Sequence, residues 1–377
     1  MRRIAIMALP FIFVVAPPAR GSVPTTADRL LRESRLAFSE PQSAIPGDVT
    51  GDGRVGAADI VGILLDLHSP TEPGPYAVGV RQIAFAKKSE TQPDQDRVLL
   101  TDIWYPTDAS GSLSAKYRAI LNAPLAEGAS GLPLLLFSHG SCGVPEQSLF
   151  FTPLLASYGF IVAAPPHPGN TLNDLLAGHN CGSTTAITDS FLNREADMKF
   201  VLDSLLALNA DTSSPFFGAI DPERIGMSGH SFGGQTTLRV SADDARIVAG
   251  LALAPALSPV EGAAGRVKIP LMIQDGTLDS VTPFATNSRA AYNYLRGVRY
   301  LLAIADTGHY AFSDNCFPSS DCGPDTLTQD QAHGYVLRFA VPYLLHWVAG
   351  DDRFDAFLDP GSIPGGVTLK ADLRRNE

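Results

Sequence analysis

The residues best suited to covalent chemistry surround one serine. Residues 224–235 form an apolar strand pattern, then Gly229-His-Ser-Phe-Gly233, then a helical pattern. A strand that turns at once into a helix strains the residue at the turn, and glycines on either side of Ser231 let the adjoining chains approach closely. The positive end of the following helix would lie beneath the hydroxyl. This context predicts a nucleophile elbow at Ser231; the alternative is a glycine-rich turn that only packs tightly.

A serine hydroxyl is a weak nucleophile and needs a base that is itself oriented by an acid. In α/β sheets such groups follow the carboxyl ends of strands. His309 follows the apolar run 300–304 and is the predicted base. Two carboxylates, Asp275 and Asp279, follow the apolar run 269–273, so the order is serine, acid, histidine. Asp279 is favoured as the acid because Asp275, nearest the strand end, can simply cap the turn.

Negative charge on an attacked carbonyl oxygen needs fixed hydrogen-bond donors. The backbone N–H of Phe232, directly after the predicted nucleophile, is one expected donor. The second is expected in the loop after the strand that ends at Ser138, at the N–H of Ser141, with that of Cys142 as the alternative. His230 precedes the acid in the chain and is expected to pack inside the elbow.

A second cluster of oxygen ligands occurs near the start of the chain. Counting Asp48 as position 1, residues 48–59 match the spacing of a twelve-residue Ca²⁺-binding loop with its glycine at position 6. The expected ligands are Asp48, Thr50, Asp52, Arg54 through its carbonyl, and Asp59. The alternative is an Asp/Gly-rich turn. The loop resembles one half of a type I dockerin, although Thr50 replaces the usual Asn or Asp and only one copy is present; this resemblance implies a cohesin-like partner.

The elements that must position the predicted site alternate between strand and helix. Strand patterns cover 78–86, 97–105, 133–138, 160–164, the elbow strand, 247–253, 269–273 and 300–304. Helical patterns cover 146–158, 193–208, 235–241, 283–295 and 328–348. Alternation with short connections predicts an α/β fold, a mostly parallel central sheet with helices on both faces.

Composition and termini limit the compartment and the partners. The 377-residue chain has 45% hydrophobic and 18% charged residues, and its net charge of −11 argues against nucleic acids and anionic membranes. Residues 1–21 read as an export signal that is too short for a transmembrane anchor, so a secreted or periplasmic protein is expected.

The predicted order is signal 1–21, helical segment 22–45, calcium-binding repeat 46–69, Pro-rich linker 70–76, catalytic domain 77–350 and tail 351–377.

Four cysteines fit an oxidising compartment. The preferred disulfides are Cys316–Cys322 across a short loop and Cys142–Cys181, although the sequence permits three connectivities. A metal site or a reactive thiol is the alternative. A Cys142–Cys181 bond would hold the expected oxyanion loop still.

Several segments resemble the α/β-hydrolase family that contains platelet-activating factor acetylhydrolases and predicted dienelactone hydrolases. They are residues 102–106, 135–140, 158–164, 167–171 and 229–234, together with the acid and histidine motifs. The resemblance covers nearly all of residues 77–350. It implies an α/β-hydrolase fold, preceded here by the small EF-hand-type segment. Ser231 departs from authentic dienelactone hydrolases, which use a cysteine nucleophile.

The resemblance also implies a function. The expected enzyme is a serine carboxylic ester hydrolase of the 1-alkyl-2-acetylglycerophosphocholine esterase type, which needs no catalytic cofactor and acts on short-acyl (phospho)lipid-type esters. The residues around Asp279 and His309 are also similar to secreted polyester hydrolases of the cutinase type. The alternatives are therefore a polyester or acylated-polysaccharide esterase, a serine peptidase of the same fold, and a non-catalytic calcium-dependent binding module.

Overall fold

The structure is a computed structural model that describes residues 69–258, 261–316, 321, 325–359 and 367–373. The expected export signal, the segment 22–45 and all five calcium-loop residues (Asp48, Thr50, Asp52, Arg54 and Asp59) lie outside these ranges. No helix within them is long and apolar enough to cross a membrane.

A single mixed sheet of ten strands organises the described residues. The strands are β1 Ala77–Lys88, β2 Asp96–Thr107, β3 Ile120–Leu121, β4 Leu132–Ser138, β5 Ile161–Ala164, β6 Ile220–His230, β7 Ile247–Leu253, β8 Leu271–Gly276, β9 Arg299–Ile304 and β10 Val367–Asp372. Their spatial order is β10-β9-β8-β7-β6-β4-β5-β2-β1-β3. The central strands β4 to β9 pair in parallel, as expected, whereas β2 pairs antiparallel with both β1 and β5, and β10 with β9.

Seven α-helices flank the sheet in the described ranges. They are α1 Thr152–Ser157, α2 Leu172–Leu176, α3 Thr184–Ala210, α4 Phe232–Asp243, α5 Glu261–Ala264, α6 Ser288–Tyr294 and α7 Gln329–Leu344. A short 3₁₀ helix spans His309–Phe312. Helix α3 begins well before the expected residue 193 because the Ser183 side chain accepts a hydrogen bond from the N–H of Ala186 and caps it there.

The two faces of the sheet are buried under different helices. In β4, Leu134 and Leu136 join a core cluster with residues of α3, while Leu135 and Phe137 join a cluster with residues of α7. This alternation explains the continuous apolar run of β4, since a strand covered on both faces has no side open to water. The mixed sheet with helices on both faces is consistent with the predicted α/β-hydrolase fold.

Candidate active site

Ser231 lies at the sharp turn between β6 and α4. Its backbone has φ 59° and ψ −115°, outside the regions that side-chain-bearing residues favour, at a cost of about 1–3 kcal/mol. Three backbone hydrogen bonds hold this conformation. The Ser231 N–H donates to the Leu253 carbonyl at 2.9 Å, and its own carbonyl accepts from the N–H groups of Gln235 and Ala256 at 3.0 and 3.2 Å.

Close approach of β4 explains the glycines around Ser231. A Cβ on Gly233 would lie 1.8 Å from the carbonyl oxygen of Ser138, and a Cβ on Gly229 would lie 2.5 Å from the Gly233 carbonyl. No side chain fits at either position. The elbow is therefore packed directly against the strand that leads into the expected oxyanion loop.

His309 and Asp279, which follow β9 and β8, meet in a buried contact. The distance between Nδ1 of His309 and Oδ2 of Asp279 is 2.7 Å, and their side chains are 2% and 0% exposed. Because a carboxylate only accepts hydrogen bonds, Nδ1 carries a proton, and Nε2 is the nitrogen that can accept one. The other Asp279 oxygen accepts from the N–H groups of Val281 and Thr282 at 2.8 and 2.7 Å.

The environment of Asp279 favours its charged form. Burial, the largest influence, acts to raise the pKa of Asp279, but the hydrogen bond and charge of His309 and the bonds from Thr282 outweigh it, so the pKa is lowered. Asp275 is different. Its side chain accepts from the N–H of Gly276 and the hydroxyl of Ser288, and burial followed by the charge of Asp279 raises its pKa well above the ordinary value.

The histidine loop is packed against the elbow through His230. Nε2 of His230 donates to the carbonyl oxygen of His309 at 3.0 Å, and the two ring centroids are 4.6 Å apart. His230 is 3% exposed and lies inside the elbow, as the sequence predicts. His309 is thereby brought beside the residue that precedes Ser231.

The expected oxyanion loop crosses the elbow at Gly140. A Cβ on Gly140 would lie 3.4 Å from both the Cβ of Ser231 and Nδ1 of His230. Ser141, the next residue, is exposed, and Cys142 has a positive φ of 54°. On the other side of the elbow, Phe232 is the first residue of α4 and is buried.

A model of the PET hydrolase-like family matches residues 180–370, more than half of the chain. The chain belongs to the PET hydrolase-like family. This match includes the predicted serine, acid and histidine, and it agrees with the similarity to cutinases seen around Asp279 and His309.

Individual relatives of this PET hydrolase-like chain include both groups of enzymes that the sequence resembles. Cutinase 2 of Thermobifida cellulosilytica is 25% identical over 235 residues, which are 60% of this chain and 82% of the relative. The platelet-activating factor acetylhydrolase of Cavia porcellus is 25% identical over 350 residues, 76% of this chain and 79% of the relative. Lipase 1 of a Moraxella species is 22% identical and covers 89% of this chain and 86% of the relative.

The predicted disulfide between Cys142 and Cys181 is confirmed, with a Cα–Cα distance of 5.6 Å. It ties the loop of this PET hydrolase-like protein that follows β4 to the segment before α3. The N–H of Leu172 adds a bond to the Gly143 carbonyl at 3.0 Å. Cys316 is also disulfide-bonded, while its expected partner Cys322 lies outside the described residues.

A buried arginine that was not predicted from the sequence holds this loop. Arg194 in α3 is 0% exposed and donates to the carbonyls of His139 and Gly140 at 2.6 and 3.2 Å. Its guanidinium lies 4.4 Å from the centre of the Phe232 ring. Burial lowers the pKa of Arg194 to about 9, although the charge of Asp197 opposes this. The sequence does contain one indication of this arginine: a charged residue stands four positions before Met198, on the apolar face of the predicted helix.

Asn170 extends this support to the surface of the loop. Its amide oxygen accepts from Arg194 at 2.7 Å, and its amide nitrogen donates to the carbonyl of Cys181 at 2.6 Å and to the hydroxyl of Ser141 at 3.2 Å. The amide therefore joins the arginine, the disulfide segment and the expected oxyanion residue.

Proposed function

We propose that this chain is a serine carboxylic ester hydrolase with Ser231 as nucleophile, His309 as base and Asp279 as the orienting acid. The observation that carries the proposal is the 2.7 Å contact between Nδ1 of His309 and Oδ2 of Asp279, in a loop packed on the residue before the strained Ser231. Relatives named as cutinases, an acetylhydrolase and a lipase support an ester hydrolase.

The reaction proceeds through an acyl-enzyme. Oγ of Ser231 attacks the ester carbonyl carbon while its proton passes to Nε2 of His309. The backbone N–H groups of Ser141 and Phe232 donate to the oxygen that becomes negative. When the tetrahedral intermediate collapses, the C–O bond to the alcohol breaks and the alcohol takes the proton from His309. Water, deprotonated by the same imidazole, then releases the acid and restores Ser231.

Two substrate classes have support. The similarity to platelet-activating factor acetylhydrolase extends over 76% of the chain and favours short-acyl (phospho)lipid-type esters. The match to the PET hydrolase-like family model favours a polyester as the second candidate. Our first candidate is the short-acyl ester.

Rates with a panel of substrates test this proposal. We expect hydrolysis of p-nitrophenyl acetate faster than of the octanoate, release of acetate from a 1-alkyl-2-acetylglycerophosphocholine, and no cleavage of the matched p-nitroanilide. Ser231→Ala is the control and should lose all of these activities. Preferential erosion of a polyester film would favour the second candidate, whereas undiminished ester hydrolysis by Ser231→Ala would refute the catalytic assignment.

We further propose that residues 48–59 bind Ca²⁺, since their carboxylate, hydroxyl and carbonyl oxygens suit a hard cation. The secreted or periplasmic location and the cohesin-like partner stay predictions. We expect Ca²⁺ to raise Tm and a chelator to lower it in the native chain but not in Asp48→Ala/Asp52→Ala. Equal Tm values with and without Ca²⁺ would rule the site out.

A further inference from the structure

Gln147 and His230 join the loops that carry the proposed reacting groups. The N–H of Gly140 donates to Oε1 of Gln147 at 2.8 Å, and Nε2 of Gln147 lies 2.9 Å from Nδ1 of His230. Nε2 of His230 in turn lies 3.0 Å from the carbonyl oxygen of His309. This chain of three hydrogen bonds runs from the oxyanion loop, through the elbow, to the histidine loop.

The direction of every bond in the chain is determined. The carbonyl of His309 only accepts, so Nε2 of His230 carries a proton. His230 is neutral because burial, and then the neighbouring His309, lower its pKa well below the ordinary value. Nδ1 of the neutral ring must then accept from the amide nitrogen of Gln147, which leaves the amide oxygen for the N–H of Gly140. Rotating the amide by 180° would break two bonds at once.

This chain of hydrogen bonds orients the peptide group that supplies the expected oxyanion donor. Gln147 holds the N–H of Gly140, while Nδ1 of His139 at 2.7 Å and Arg194 at 3.2 Å donate to its carbonyl. The peptide bond between Gly140 and Ser141 is planar, so fixing the Gly140 carbonyl also fixes the direction of the Ser141 N–H. Gly140 lies so close to the elbow that a Cβ on it would be 3.4 Å from the Cβ of Ser231, so a tilt of this peptide should affect stabilisation of the oxyanion.

We propose that Gln147 and His230 are positioning residues that hold the oxyanion loop and His309 at a set distance from each other across Ser231. The proposal rests on the function proposed above. It predicts that breaking the chain weakens binding of the developing oxyanion while leaving ground-state binding of the ester nearly unchanged.

Gln147→Met tests this directly, because the side chain keeps its length and loses both hydrogen bonds. We expect kcat for p-nitrophenyl acetate and the affinity for an alkyl trifluoromethyl ketone to fall together by on the order of tenfold, with KM within about twofold. The matched control is Asn209→Leu. It removes an amide that hydrogen-bonds the N–H and the carbonyl of Ile220, at the opposite end of β6 from Ser231. It should lower stability without changing kcat.

Gln147→Glu adds a second measurement, the pH dependence of kcat, which should not change if Gln147 has a purely structural role. The carboxylate still accepts from Gly140 but faces the lone pair on Nδ1 of His230, so the contact is repulsive until either group takes a proton. The ratio of variant to native kcat should therefore rise toward 1 as pH falls. The charged or titratable groups around the pair are His139, Arg194, Asp279, His309 and Asp314. All of them are present in both proteins, which is why the ratio of the two kcat values is compared.

The proposal would be overturned if Gln147→Met kept the kcat and the ketone affinity of the native protein. It would also be overturned if the ratio of variant to native kcat for Gln147→Glu did not depend on pH. Labelling of Ser231 by a fluorophosphonate in the native protein, measured in parallel, separates this failure from failure of the proposed function. If Gln147→Met does not fold, the Gln147→Glu ratio decides the matter alone.

Discussion

Asp275 is the penultimate residue of β8 and Asp279 follows that strand, yet their pKa values are displaced in opposite directions. Burial, and then the charge of Asp279, raise the pKa of Asp275, which is 0% exposed. Asp279 is also buried, but its contacts with His309 and Thr282 stabilise the carboxylate. The surroundings thus favour the neutral form of Asp275 and the charged form of Asp279, whose carboxylate faces the imidazole.

The two carboxyl groups should respond differently to the same substitution. Asp279→Asn places an amide against Nδ1 of His309 and disturbs its tautomer, so kcat should fall by roughly a hundredfold or more. Asp275→Asn puts a neutral amide where the surroundings favour a neutral carboxyl group, and its side chain does not bond His309, so kcat should stay within about threefold. Steady-state hydrolysis of p-nitrophenyl acetate measures both. The reverse ranking would make Asp275 the orienting acid.

Arg194→Lys should lower kcat without preventing covalent labelling of Ser231. One ammonium group cannot reach the carbonyls of His139 and Gly140 and the amide of Asn170 in the way the planar guanidinium does. We expect a loss in kcat on the order of tenfold. Arg239→Lys is the matched control, because Arg239 also stacks on a phenylalanine but pairs with Glu195 away from the elbow. Equal kcat values in the two variants would argue against the role of Arg194.

Removing the Cys142–Cys181 bond should affect both stability and catalysis. The bond closes a loop with a sequence separation of 39, for which chain entropy predicts about 4 kcal/mol of stabilisation. We expect Cys142→Ser/Cys181→Ser to show a lower Tm and, at a temperature where it is folded, a lower kcat because the loop with Ser141 is less restrained. A variant with reduced Tm and native kcat would show that the bond serves stability alone.

Asp102 should make stability depend on pH. Burial is the main cause that raises its pKa from 3.8 to about 7, while the hydrogen bond from Gln82 opposes the shift. The folded protein therefore keeps a proton that the unfolded chain releases, and this contribution, on the order of a few kcal/mol, is present below pH 4 and lost as pH rises toward 7.

Asp102→Asn should accordingly gain stability relative to the native protein as pH rises from 4 to 8. Urea unfolding at several pH values measures the difference in free energy of unfolding. Asp96→Asn, at an exposed carboxylate paired with Lys88, is the control and should give a nearly constant difference. A constant difference for Asp102→Asn as well would contradict the raised pKa.

The proposed reacting residues could be located in the sequence because local rules constrain them. The glycines at 229 and 233 are required by one tight turn, and Asp279 and His309 each follow an apolar run that becomes a parallel strand. The supporting residues were not readable. Gln147 meets His230 across a sequence separation of 83, and such contacts appear only when the chain is folded.

The edges of the sheet were also hard to foresee. The tail 351–377 has no strong strand pattern, yet Val367–Asp372 pairs with β9. Helix α2 has no buried residue, so it shows no apolar stripe for a sequence pattern to reveal. Strand β10 depends on its pairing with β9, whereas α2 is supported locally by a capping box between Thr171 and Asp174.

The most direct test of the account is mass spectrometry of the protein after reaction with a fluorophosphonate. We expect one phosphonyl adduct on the peptide that carries Ser231, no adduct in Ser231→Ala, and labelling slowed by roughly a hundredfold or more in His309→Ala, because the hydroxyl then lacks its base. An adduct on another residue, or unchanged labelling of Ser231 in His309→Ala, would contradict the assignment of Ser231 and His309 as nucleophile and base.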